Sequence, residues 1–363
     1  MRGAAAAALA ALMAAAAVRT ALAWSDRTHV IITEEAIARL PEPLRGLFAE
    51  EAALKRLQEA AVAPDSRRKQ MEKDAAAAPP ERREALKKKA DEEKFKHYLD
   101  IDAITPEPPP FKNFPRDRQA AEKLFGAKAF QEHGIVPWAA EQALNDLADA
   151  LARGQTERIF RAAGDLAHYA ADLHTPMHVS KNFNGQLTGN DGIHKALEVG
   201  LYVRNEEFYA AEVRKNRREV AYLESPRDSL FEWLIQANGR MAPIIEADTA
   251  ARRKTAYNPG AKTPDAEKEM EDPANEKSRP YYAALAAELE ARGSPEASAM
   301  RDAAAHLADL LYTAWVRAGK PASLTPAAPA PVSESAHLSP YLLLIPAALL
   351  LLLVLWPRRK PQQ

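Results

Sequence analysis

The stretch from His168 to Glu198, HYAADLHTPMHVSKNFNGQLTGNDGIHKALE, constrains this 363-residue chain more than any other. His168 and Asp172 stand four apart, His178 follows six later just past a proline, and His194 and Glu198 again stand four apart. Residues at i and i+4 lie one above the other on a helix face, so each pair can aim an imidazole and a carboxylate at one ion. Pro176 disfavours a helical Thr175, which predicts that the helix carrying the first pair ends there and that His178 sits on the loop beyond. Gly-Asn-Asp-Gly at 189–192 is turn and N-cap material, placing His194 in the first turn of a new helix. A lone histidine on an amphipathic helix is ordinarily a satisfied core or surface residue. Here one short window holds four of the nine histidines, and nitrogen and oxygen ligands without a thiolate suit zinc in an open, catalytic site.

HYAADLHTPMH followed by GIHKALE resembles the core motif of the zinc-dependent phospholipase C and S1/P1 nuclease superfamily. The resemblance implies an all-α fold, three zinc ions and hydrolysis of phosphodiesters. It also implies that further ligands lie upstream.

The chain opens with MRGAAAAALAALMAAAAVRTALA: a basic start, an apolar Ala-rich run and a small-x-small ending. This is the form of a secretory signal peptide, residues 1–23, with cleavage expected after Ala23. The run is too short and too weakly apolar for a stop-transfer segment. Cleavage there would leave Trp24 at the mature N-terminus. The resembled family holds one zinc ion through such a terminal tryptophan, by its α-amine and carbonyl oxygen, with a histidine close behind; WSDRTH supplies Trp24 and His29. An α-amine titrates near pH 7.7–8.0, roughly, so a zinc ion can hold it deprotonated.

Apolar residues then recur at three- and four-residue intervals through HVIITEEAIARL, ended by Pro41, and through PLRGLFAEEAALKRLQEAAV, which predicts two amphipathic helices. The second ends in APDSRR, giving Asp65. A mixed-charge run, RRKQMEKDAAAAPPERREALKKKADEEKFK, reads as a solvated helical hairpin broken at Pro79 and Pro80 and delivers His97 in HYLDID. After a Pro-rich segment at 105–117, helices are predicted near 117–130, 138–153, 156–172, 203–217, 227–251, 280–292 and 295–318. Period-two alternation is scarce, so the domain, residues 24–320, is expected to be all-α and single.

Residues 321–337 form a Pro/Ala-rich linker. The nineteen residues from Leu338 to Trp356 carry no charge, long enough for a transmembrane helix, and the basic tail at 357–363 belongs on the cytoplasmic side. The domain is therefore expected to be exported and anchored in a membrane, facing outward. Without a single cysteine, no disulfide braces it.

Carried over residue by residue, the resemblance implies one zinc ion on Asp65, His97, His168 and Asp172. A second would use Trp24, His29 and Asp172 as a bridging carboxylate, and a third His178, His194 and Glu198. Asp65 would also orient the attacking water. Tyr98, Asp100, Asn182 and Asn184 are pocket candidates for the substrate. His174 matches no ligand position, and His133, His306 and His337 read as structural. Glu198 followed by Val199, and Asp65 in an Ala-Pro-Asp context, lean toward phospholipid or a related phosphodiester as substrate. The spacing from Trp24 to His29 and the aromatic-x-Asp after His97 lean toward single-stranded nucleic acid. A net charge of −1 favours neither. A membrane-tethered zinc-binding domain without turnover is the non-catalytic alternative.

Overall fold

A computed structural model describes residues 24–263 and 265–321, without the side chains of Trp24, Ser25 and Glu267. Residues 1–23 and 322–363, with the signal, linker, membrane and tail assignments that fall on them, lie outside the described residues. Among the described residues every regular element is helical, and one isolated bridge pairs Leu99 with Gly134. No helix there is long and apolar enough to cross a membrane.

The helices are α1 (Trp24–Arg39), α2 (Leu44–Ala49), α3 (Glu51–Ala77), α4 (Pro80–Lys94), α5 (Ile101–Ile104), α6 (Arg118–Phe125), α7 (Ala127–His133), α8 (Val136–Ala152), α9 (Thr156–His174), α10 (Ile193–Lys195), α11 (Glu206–Val213), α12 (Pro226–Gly239), α13 (Met241–Thr255), α14 (Ala266–Glu271), α15 (Arg279–Glu290) and α16 (Pro295–Arg317). The centre is α9, which packs against α8, α3 and α16. From Ala162 to His174 all its residues but Asp165 are buried, as expected of a helix covered on every side. Burying His168, Asp172 and His174 on such a helix costs free energy unless each finds partners.

The predicted helix ends hold where proline or glycine acts in the usual way. Helix α9 stops at His174 with Thr175 extended before Pro176, and the charged run folds back at Pro79 and Pro80. Four expectations are corrected. The helix predicted from Pro43 onward is two, because Glu50 is extended, and the second does not end near Pro64 but runs to Ala77 with the proline inside it. The missing Pro64 N–H leaves the Ala60 carbonyl without its helical donor. At this place α9 comes so close that a Cβ on Gly164 would lie 2.5 Å from the Ala60 backbone. The span 117–130 divides at Gly126, whose φ of 86° no helix accepts, and 227–251 divides at Arg240. The helix expected over 203–217 is the shorter α11.

Candidate metal centre

Seven elements deliver the side chains. Helix α1 brings His29, α3 brings Asp65, a short 3₁₀ turn at Phe95–His97 brings His97, and α9 brings His168 and Asp172. His178 ends a second 3₁₀ turn, Pro176–His178. His194 lies in α10, and Glu198 in the π-helical turn Ala196–Leu201 that continues it. Three groups result, each able to hold a metal ion with donor atoms within 4.8 Å of one another: His29, His168 and Asp172; Asp65, His97 and His168; His178, His194 and Glu198. Every described side chain expected to be a ligand falls in one of these groups. The Trp24 side chain lies outside the described residues; its backbone opens α1.

Asp172 joins the groups. Its Oδ1 faces His29 Nε2 at 3.4 Å and His178 Nδ1 at 3.5 Å, while Oδ2 faces His97 Nδ1 at 3.0 Å and His168 Nε2 at 3.3 Å. The third group is tighter, with Glu198 Oε1 2.8 Å from His194 Nε2 and 3.3 Å from His178 Nε2.

Backbone carbonyls fix the rings. His168 Nδ1 donates to Ala61 O at 2.8 Å, so in the neutral ring Nε2 carries a lone pair, aimed at His97 Nδ1 3.0 Å away and at the Asp172 carboxylate. His178 Nδ1 donates to His97 O at 2.8 Å, so in the neutral ring its Nε2 lone pair faces Glu198. Lone pairs facing carboxylate oxygens repel unless a proton or a cation lies between them, and ring orientation by a carbonyl is the usual support of a ligating histidine. His97 Nε2 and His29 Nδ1 are buried and meet no hydrogen-bond partner among the described residues. The donor set thus fits metal ions.

Protonation states follow the same geometry. Burial pushes the Asp172 carboxyl up, but His168 and His178 outweigh it and hold the group well below its usual range. Glu198 falls to about 2 against the effect of burial, under His194 and His178. Burial lowers His178, yet Asp172 and Glu198 carry it up to about 10. His29 is lowered by burial and by His168 beside it.

The charged run is more than a solvated hairpin. At its base Arg67 donates to Glu93 Oε1 through Nε and Nη2 at 3.0 and 2.6 Å, and Nη2 also reaches Asp165 at 3.1 Å. Tyr169 OH and Lys96 Nζ donate to the same Glu93, which is 5% exposed. The two legs, α3 and α4, are thereby clamped to α9 beside His168. Asp65 precedes the hairpin and His97 follows it, so the clamp brings these two donor side chains together across 32 positions of sequence (97 less 65). Leu99 N donates back to His178 O at 2.9 Å, tying the segment after His97 to the third group.

A cleft of about 370 Å³ opens onto the groups. Of the pocket candidates only Tyr98 lines it. Asp100 is buried behind it, its carboxyl pushed up to about 7 by burial and by Asp102, and its Oδ2 is 3.6 Å from His133. Asn182 and Asn184 serve their own loop: Asn182 Oδ1 accepts from Leu187 N, and Asn184 N donates to Gln186 Oε1. His174 reaches the cleft wall but is engaged elsewhere, donating to Ala170 O and pairing with His306, which stacks on Trp233 at 4.0 Å. Sequence reasoning missed four cations of the lining, Arg68, Lys69, Lys94 and Lys195. Their spacing signals them: three and four after Asp65, three before His97 and one after His194.

No family model matches the chain, and no curated protein matches it.

Proposed function

We propose that the chain is a zinc-dependent phosphodiesterase, with a phospholipase C-like activity on phospholipid or related phosphodiesters as the leading reading. The observation that carries it is the convergence of three donor groups, linked through Asp172, at one cleft with a cationic lining. The residue-by-residue resemblance to the zinc-dependent phospholipase C and S1/P1 nuclease superfamily supports zinc as the metal and three as the number. Zinc, when bound, supplies Lewis acidity and positive charge for a transition state whose negative charge spreads over phosphoryl oxygens.

The chain's own residues do the rest. Against the effect of burial, His168 and His97 keep the Asp65 carboxyl lowered, so it is ionised at neutral pH and accepts a hydrogen bond from the attacking water. Water adds to phosphorus, the bond to the leaving oxygen breaks, and the water proton returns to that oxygen. Leu197 and Val199 give the cleft apolar wall beside the third group, suited to the hydrocarbon side of a lipid. Single-stranded nucleic acid is the second reading, favoured by Tyr98, the one aromatic pocket candidate at the cleft, against which a base can stack. Signal cleavage and a C-terminal membrane anchor complete the proposal and place the domain outside the cytoplasm.

The test uses full-length protein expressed with its leader, its N-terminus read by mass spectrometry, and loaded with zinc. Head-group release from short-chain phosphatidylcholine is measured beside nucleotide release from single-stranded DNA and RNA, with His178→Ala as the blank. Zinc-dependent lipid cleavage that dominates supports the leading reading. Dominant nucleic-acid cleavage replaces it with the second, and zinc binding without turnover on any substrate leaves the non-catalytic domain.

A further inference from the structure

We infer that the charged hairpin supplies a second anion site: Lys69 on α3 and Lys94 on α4 hold a phosphate group of the substrate other than the one being cleaved. Both lysines line the cleft that holds the three donor groups. Lys69 follows Asp65 by one helical turn and Lys94 precedes His97 by three residues, spacings that put side chains about 5–6 Å apart on a helical surface. The Lys69 Nζ is 3.9 Å from Asp65 Oδ2 and half exposed, while Lys94 is exposed and forms no ion pair among the described residues. Arg68, also in the lining, is occupied by Glu72 at 2.9 Å and Asp65 at 3.5 Å and serves as framework.

The hairpin base explains why these cations stay where they are. The Arg67–Glu93–Tyr169 network fixes both legs against α9, so the lysines are carried by a rigid support and not by a loose flap. Two ammonium groups in the lining, in addition to the three donor groups, give the cleft more positive charge than one phosphodiester neutralises. A substrate with a neighbouring phosphate gives them a counter-charge.

The inference rests on the phosphodiesterase reading, and its test therefore measures binding apart from turnover. Zinc-loaded full-length protein is titrated calorimetrically with two small-molecule pairs: adenosine 5′-monophosphate against adenosine 3′,5′-bisphosphate, and glycerophosphoinositol against its 4-phosphate. The member with the additional phosphate in at least one pair is expected to bind roughly fivefold tighter or better, the scale of an exposed charge pair, with the difference shrinking as salt rises. Preference in the first pair points to a nucleotide-derived second phosphate, in the second pair to a lipid-derived one. Lys69→Gln and Lys94→Gln should remove the preference by weakening the member with the additional phosphate more than its partner. Equal binding of both members in wild type, or a preference that survives both substitutions, overturns the inference. Phosphate-selective binding without hydrolysis would keep the site and overturn the activity.

Discussion

Asp172→Asn is the substitution on which the proposed centre turns. It keeps the shape of the side chain and removes one negative charge. That charge faces His29 and His178 through one oxygen and His97 and His168 through the other, so two of the three donor groups lose it together. Donor atoms of the group His29, His168 and Asp172 lie within 4.8 Å of one another, and a dication among them is no farther than that from the carboxylate; the second group is reached through His97, 3.0 Å from Asp172 Oδ2. At 4.8 Å, with an effective dielectric of about 20, a unit negative charge attracts a dication by about 7 kcal/mol. Its loss amounts to about five orders of magnitude in affinity. The group of His178, His194 and Glu198 keeps all three of its donors. Elemental analysis after dialysis should therefore show two ions lost and one kept, with helical circular dichroism unchanged. A variant that holds three ions at the affinity of the wild type would refute the shared-carboxylate arrangement.

Arg67→Met leaves Glu93 buried with Lys96 as its remaining cation, and should cost about 2 kcal/mol in chemical denaturation, less than a fully buried pair because Arg67 is partly exposed. The same variant should weaken zinc at Asp65 and His97 more than at Glu198, read by competition with a chelator. Gly164→Ala places a methyl group against the Ala60 backbone and should lower stability by about 1–3 kcal/mol; an unchanged melting temperature would mean that α3 and α9 are free to move apart. In metal-free protein, stability should fall on both sides of neutrality. Glu198 contributes fully above its ordinary 4.5 and loses that contribution as pH falls toward about 2, while His178 contributes fully below 6.5 and loses it as pH rises toward about 10. Urea unfolding across this range checks both limbs, and His178→Gln should flatten the alkaline one.

The donors were legible because their spacing is a property of helices: His168 with Asp172 and His194 with Glu198 need only i and i+4 on one face. Pro176 ended α9 as proline usually ends a helix, which put His178 at the turn. Pro64 did not act that way, because the price of one lost hydrogen bond is offset by packing against Gly164, and such compensation is invisible before α9 is in place. Gly126 could adopt a positive φ or a helical one, and nothing local decides between them. The cationic lining was legible only as charge. Whether Lys69 and Lys94 meet water or the cleft depends on how two charged helices fold back, and that is decided by Arg67 and Glu93, whose partners Asp165 and Tyr169 are about a hundred residues away from Arg67.

The hairpin is a detour that begins and ends at the same place. Its feet, Asp65 and His97, are pinned by contacts near its base, while its tip around Pro79 and Pro80 is held chiefly by the pairing of α3 with α4. A chain cut at that tip would leave Asp65 and His97 each beside a clamped leg. Two pieces cut there, residues 24–78 and residues from 79 onward, are accordingly expected to associate, with the donor groups lying at the seam between them.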